Sequence, residues 1–364
     1  MKHWFLFVIL VGIASMVIIL SRLTSPPASL DRGQNENQQE SIEVLVSNLE
    51  VPWDIDFLPG GQMLVTERPG KLVLIDQAQH VIPISGVRQT AEGGLLGLAV
   101  HPEFASNHYI YLFLTSQENG ALVNRVERYR LSGNKVSDRT VILEGVRGNS
   151  VHDGGQLEFG PDKLLYITTG DSGQGNLAQD KNSLNGKILR IKDDGLIPED
   201  NPFGNAVYSY GHRNPQGLAW DDKGQLWATE HGPSGIDGGT GMDELNLIEK
   251  GKNYGWPVIK GDAARQGMVT PVIQSGANET WAPSGLAFYQ GKLFFAGLRG
   301  QTLYEYDLHS GDLKKYFVKV YGRLRAVKAG PEGLYITTSN RDGRGTPKAG
   351  DDKLILIPGF EALK

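Results

Sequence analysis

The chain has 364 residues, 40% of them hydrophobic and 21% charged, with 47 Gly, 18 Pro, no Cys and a formal net charge of −5. The absence of Cys excludes disulfides, thiolate zinc sites, iron–sulfur clusters and a Cys nucleophile, so redox chemistry would need a borrowed organic cofactor or another metal. The mildly acidic balance lacks the basic patch that nucleic-acid binding requires, and a Gly share near twice the ordinary value of about 7% indicates many tight turns.

Residues 1–23 carry Lys2, His3, an apolar run from Trp4 to Leu20 and then Arg22, with no acid. The run is short for a span of the hydrocarbon core, about 30 Å thick, and long for a secretory signal, so it reads as a cleaved signal peptide or an uncleaved signal anchor. Either way the body is expected to be periplasmic or extracytoplasmic, meeting the membrane only through this segment. Residues 24–41 are polar and flanked by Pro26 and Pro27, the composition of a flexible linker.

From residue 42 to the end one pattern recurs six times, marked by Ile55, Leu98, Leu157, Leu218, Leu286 and Val327 at intervals of 43, 59, 61, 68 and 41 residues. Each copy is an apolar strand, a turn of Pro, Gly, Asp or Asn, and a second strand rich in Leu, Tyr, Phe, Ile and Thr. Further strands are expected at 72–75, 125–131, 187–192, 244–248, 302–308 and 353–357. Six four-stranded antiparallel units arranged radially make a six-bladed β-propeller, an all-β fold. The segment 42–47 is expected to close the ring beside 353–357. A β-sandwich array is the competing all-β reading, and helical periodicity is confined to a turn or two near DELNLIEKGKN (243–253).

Chemistry is expected in the stretches NSVHDGGQL (149–157), YGHRNPQGL (210–218), ATEHGPSG (228–235), GRLRAV (322–327) and SNRDGRG (339–345). Arg213, Arg323 and Arg325, with Arg299 and Arg341 as weaker candidates, supply forked donors suited to an anionic ligand. His152, followed by Asp153, Gly154 and Gly155, is a candidate general base. Gly170-Asp171-Ser172-Gly173 mimics a serine-protease motif, but it only ends a strand. His231 beside Glu230 lacks a second His at metalloprotease spacing.

The runs EGGLLGLAVHPEF, GGQLEFGPD, NGKILRI, GHRNPQGLAW, EHGP, DELNLI, NYGWP, APSGLAFY and LRGQTLYEYDL cover nearly the whole chain after the linker. In them the sequence resembles the soluble pyrroloquinoline-quinone (PQQ)-dependent sugar dehydrogenases, most closely the shorter aldose sugar dehydrogenase branch. That resemblance implies a six-bladed propeller that oxidises the anomeric hydroxyl of an aldose to a lactone and passes electrons to a quinone, a small redox protein or a dye. It implies His152 as the base, with Arg213 and Glu92 beside the reacting groups. Arg213, Asn214, Thr280, Arg323 and Arg325 match cofactor contacts. Ca²⁺ at the cofactor is implied on the carbonyls of Gly232 and Pro233, and a structural Ca²⁺ on Glu244, the Tyr254 carbonyl and Asp262.

The chain departs from the glucose-oxidising branch at Glu92, where that branch has Gln, and at Leu298, where it has Lys and where Arg299 stands ready to take over the contact. The link SGIDGGTGM (234–242) is longer and richer in Gly, and the long insertions of that branch are missing, which implies a more open site. The alternatives are a non-catalytic calcium-binding propeller and a Ca²⁺-dependent lactonase. The lactonase would need acidic and Asn side chains converging on an axial metal.

Overall fold

The computed structural model describes residues 42–359 except 235, 236 and 238, together with Leu363. The signal or anchor segment and the linker lie outside the described residues. Among the described residues no helix is long and apolar enough to cross a membrane.

The described chain begins with β1 (Glu43–Val46), and each of six units then starts with an inner strand: β2 (Pro52–Phe57), β6 (Leu95–Val100), β10 (Gly154–Phe159), β14 (Pro215–Trp220), β18 (Pro283–Tyr289) and β22 (Leu324–Gly330). Each inner strand is followed by an antiparallel second strand, in turn β3 (Met63–Glu67), β7 (Tyr109–Glu118), β11 (Leu165–Thr169), β15 (Leu226–Glu230), β19 (Lys292–Gly297) and β23 (Gly333–Thr338). Two more strands complete each of six four-stranded sheets. The last sheet runs β22, β23, β24 (Leu354–Ile357) and then β1, which pairs antiparallel to β24 through Glu43–Leu356 and Val44–Ile355. The inner strands touch one another in sequence, β22 returning to β2, so the six blades form the closed propeller that the repeats predict.

Side chains alternate between the two faces of a strand, and the strands nearer the axis have a neighbouring blade on each side, so most of them are apolar on both faces. Leu72 and Leu74 of β4 (Lys71–Ile75) pack against the second blade, while Val73 and Ile75 pack against the sixth. Six apolar clusters result, each holding one pair of neighbouring blades together. Around the axis the backbones approach closely: a Cβ on Gly97 would lie 2.0 Å from the Gly155 carbonyl oxygen, and one on Gly217 would lie 2.4 Å from that of Ser284. The repeated Gly-Leu-Ala of these inner strands is therefore a packing requirement.

One expectation needs correction. The stretch 243–253 holds β16 (Glu244–Ile248) and a turn rather than a helix. Among the described residues the α-helical turns are at Phe104–Asn107 and Gly175–Gln179, both in loops between strands.

All six inner strands share a feature that the repeats do not announce. Each has a break in its pairing register within its first few residues, between Pro52 and Asp54, Leu95 and Leu98, Gly154 and Leu157, Pro215 and Gly217, Pro283 and Leu286, and Leu324 and Val327. A bulge re-aims side chains and ends regular pairing. Six of them at one end of the ring turn that rim into loops aimed at the axis.

Candidate active site

The residues just before the inner strands and just after the second strands meet at that rim around a cavity of about 320 Å³. Glu92 precedes β6, His152 precedes β10, Arg213 precedes β14, Thr280 and Ala282 precede β18, and Arg323 precedes β22; all line it. The second strands contribute His231, Gly232, Pro233 and Ser234 after β15, Leu298 and Arg299 after β19, and Arg344 after β23.

His152 is buried at 6% exposure and held in the left-handed region at φ 58°, a conformation that a non-glycine residue keeps only when its surroundings over-determine it. Here they do. Its N–H donates to Glu92 Oε2 at 2.9 Å, its carbonyl accepts from the Ser172 N–H at 3.2 Å, and its Nδ1 lies 2.7 Å from Asp171 Oδ1. An ionised carboxylate only accepts, so Nδ1 carries the proton and Nε2 is the free base. Asp171 is itself held by the Trp256 indole N–H at 2.8 Å and the Gly173 N–H at 2.8 Å. The protease-like run thus has a use as the carboxylate that orients the imidazole. Gly154, at φ 68°, leaves no room for a side chain against Thr169, and its N–H donates to Asn214 Oδ1 at 3.1 Å.

Burial works to raise the Glu92 carboxyl, but Arg344, 2.8 Å away, and the His152 N–H hold it down at about 2. His231 shows the opposite balance. Burial lowers its imidazole to about 4 against the pull of Asp243 and Glu92, and its Nε2 is buried without a partner. The metalloprotease comparison gave no reason to choose His231, yet as a neutral imidazole on the wall it belongs to the site. His212, by contrast, has both nitrogens engaged by Ser209 and Glu230 and stays in the core.

The arginines divide unexpectedly. Arg213, 2% exposed, has Asp237 as its ion-pair partner and lies 5.4 Å over the Trp256 ring. Arg323 donates through Nε and Nη2 to Asp342 Oδ2 at 2.8 and 2.7 Å, and through Nη1 to the Leu298 carbonyl at 3.2 Å. Arg325 does not reach the wall. Its Nη1 donates to Gln216 Oε1 at 2.6 Å and Ser284 Oγ at 3.1 Å, its guanidinium lies 5.4 Å over the Trp53 ring, and its Nε has no partner. No carboxylate pairs with it among the described residues, and burial lowers its basicity. Arg341 turns away to the Asp351 carbonyl, and Arg344 of the same loop takes the place on the wall.

Asp243 is the junction that the motifs did not reveal. Its Oδ1 accepts from the Gly232 N–H at 2.9 Å, and its Oδ2 accepts from Thr280 Oγ1 and from the N–H groups of Trp281 and Ala282 at 2.9, 2.7 and 3.0 Å. It ties the Gly232-Pro233 segment to Thr280. Asn214 keeps a buried Nδ2 without a partner.

The donor chemistry suits a polyanion on the wall, because four arginines line or back it and Arg325 adds a buried charge with no counter-ion. Glu244, Tyr254 and Asp262 lie away from the wall. Burial, with Glu230 nearby, pushes Glu244 up to about 8, and the neighbouring Asn246 Oδ1 is buried without a donor. Gln274, opposite Glu244 in the sheet, donates to Asp262 at 2.7 Å. Surplus oxygen acceptors of this kind suit a hard cation. Among the described residues no three His, Cys, Asp or Glu side chains cluster as a metal site, so backbone and amide oxygens would have to complete the shell.

The sequence profile of the glucose / sorbosone dehydrogenase family matches residues 49–354. Aldose sugar dehydrogenase YliI of Escherichia coli is 33% identical over 90% of this chain and 95% of its own length. Quinoprotein glucose dehydrogenase B of Acinetobacter calcoaceticus is 32% identical over 77% of this chain and 65% of its own. The solved PQQ-bound form of aldose sugar dehydrogenase from Streptomyces coelicolor is 41% identical with a TM-score of 0.80, over 86% of this chain and 97% of that one.

Proposed function

Because the chain belongs to the glucose / sorbosone dehydrogenase family, we propose that it is a PQQ- and Ca²⁺-dependent dehydrogenase that oxidises the anomeric hydroxyl of aldoses to lactones outside the cytoplasm. The observation that carries this reading is the His152–Asp171 pair, 2.7 Å apart, on the wall of a cavity that Arg213, Arg299, Arg323 and Arg344 also line. When bound, PQQ would supply a two-electron acceptor for the hydride of the sugar carbon, and Ca²⁺ would supply Lewis acidity to it.

The protein's own part is positioning and proton transfer. His152 Nε2 takes the anomeric hydroxyl proton, and Asp171 fixes the tautomer and stabilises the imidazolium that forms. Arg213 stabilises negative charge developing on the cofactor side. Arg323 and Arg299 hold carboxylates, Arg325 adds positive field from behind the wall, and Asn214 offers its unpartnered Nδ2. Thr280 is a further cofactor contact, fixed by Asp243. Gly232 and Pro233 would hold the cofactor Ca²⁺, and Glu244, Tyr254 and Asp262, joined by the partnerless Asn246 Oδ1, would hold the structural one. Electrons leave to a quinone, a small redox protein or a dye.

Reconstitution with PQQ and Ca²⁺, desalting and dye reduction with several aldoses tests the reading. Retained quinone absorbance that is bleached by an aldose is expected; a protein that emerges from the column without the chromophore would overturn it.

A further inference from the structure

Arg344 belongs to none of the roles above, and its setting is specific. It comes from the sixth blade, 252 residues beyond Glu92, and its Nη1 donates to Glu92 Oε1 at 2.8 Å. Glu92 Oε2 accepts the His152 N–H at 2.9 Å, so one carboxylate bridges the guanidinium and the backbone of the proposed base. The Arg344 loop is built to hold this position. Its N–H donates to Asp342 Oδ1 at 2.8 Å, Asn340 N–H donates to Asp352 Oδ1 at 2.6 Å, and Asp342 Oδ2 takes two bonds from Arg323. Asp342, held by Arg323, thus fixes the backbone of Arg344, whose guanidinium in turn holds the Glu92 carboxylate on the His152 N–H.

We propose that Arg344 is a positioning residue that clamps the Glu92 carboxylate against the His152 backbone and so keeps the imidazole in its left-handed, cavity-facing pose. The proposal rests on His152 being the base. The groups facing Glu92 are His152 from its own rim, His231 and Asp153 from the neighbouring loops, Arg68 and Arg325 from the interior, and Arg344. Of these cations only Arg344 is bonded to the Glu92 carboxylate among the described residues, so its loss leaves burial to act on a carboxylate that still carries the His152 N–H.

The test compares wild-type protein with Arg344→Gln, Arg344→Lys and Glu92→Gln. In the cofactor-free protein, a carbon-13 carboxyl NMR titration of Glu92 is expected to move up by about 1–3 pH units in Arg344→Gln and to return most of the way in Arg344→Lys. The His152 amide is expected to exchange faster with solvent in both Arg344→Gln and Glu92→Gln. In the reconstituted, PQQ-saturated enzyme kcat falls about tenfold, the acid limb of the pH profile follows the Glu92 midpoint, and the Arg344/Glu92 double variant is no worse than either single one, as expected for residues acting as one unit. An unmoved Glu92 midpoint or unaltered His152 amide exchange in Arg344→Gln would overturn the clamp. Variants that show both shifts, with a reconstituted wild-type protein that has no turnover, would leave the clamp standing and sink the proposed reaction instead.

Discussion

The two ends of the central channel are built from the same six inner strands, yet they differ in their electrostatics. At the rim where those strands begin, His152, Arg213 and Arg323 face a cavity, and the unpartnered polar atoms of Asn214, His231 and Arg325 gather around it. At the rim where the strands end, a second cavity of about 210 Å³ is lined mainly by Leu218, Ala219, Trp220, Leu286, Ala287 and Phe288. Its charge is neutralised internally, since Lys328 lies 2.9 Å from Glu158 and 3.5 Å from Asp56. Just inside, Asp54 accepts from Gln156 at 2.9 Å. Both rims pair charges, Arg213, Arg323 and Arg344 with Asp237, Asp342 and Glu92 at the first and Lys328 with Glu158 and Asp56 at the second, and Trp220 Nε1 lacks a partner at the second. The first rim differs in its four arginines and in the partnerless atoms of Asn214, His231 and Arg325, which are available to a ligand.

Substitutions should separate the two rims. The largest effect is expected from His152→Ala, which should lower kcat by roughly 10²–10⁴-fold while PQQ absorbance is retained; steady-state kinetics with dye decides it. Next comes Arg323→Gln, for which equilibrium titration of PQQ should show affinity weakened about 10–100-fold, in line with the worth of a charged hydrogen bond. Asp342 then loses its partner, so Tm should drop as well.

A smaller effect is expected from pH. The Glu92 carboxyl is held at about 2 in the folded protein, below the ordinary value of about 4.3, so it contributes stability above that value and loses it as pH falls toward 2. Urea unfolding of wild type and Glu92→Gln should therefore differ by about 2 kcal/mol at pH 7 and converge near pH 2. The smallest belongs to the opposite rim. Lys328→Met should cost about 1–2 kcal/mol of stability, because its ion pairs are partly solvated, and should leave PQQ affinity unchanged. A loss of affinity in that variant would erase the distinction between the rims.

Much of the ring was legible. The strand segment 72–75 lies within β4 and 244–248 coincides with β16, and the closing strand falls within 42–47. The outer strands were harder, because β17 (Ile273–Gln274) has only two residues and β9 (Lys135–Arg147) is largely exposed, so neither carries the apolar signature that a pattern can detect. The site was legible in its residue types but not in their aim. Arg323 and Arg325 are two positions apart and would share a face in a regular strand, yet the register break between Leu324 and Val327 sets one on the wall and the other behind it. Arg344 displaced Arg341 for a similar reason, since the loop's bonds to Asp342 and Asp352 decide which of the two turns inward.

By itself, then, the sequence determined six apolar strand pairs, their closure by an N-terminal strand, and the chemical types at the rim, because alternation and turn residues act over a few neighbouring positions. Only the tertiary structure decided that Asp171 orients His152, that Asp243 joins the loops of Gly232 and Thr280, and that Arg344 meets Glu92 from across the ring. Those contacts depend on six bulges and on blades closing over one another, and no local pattern encodes the distance that closure removes.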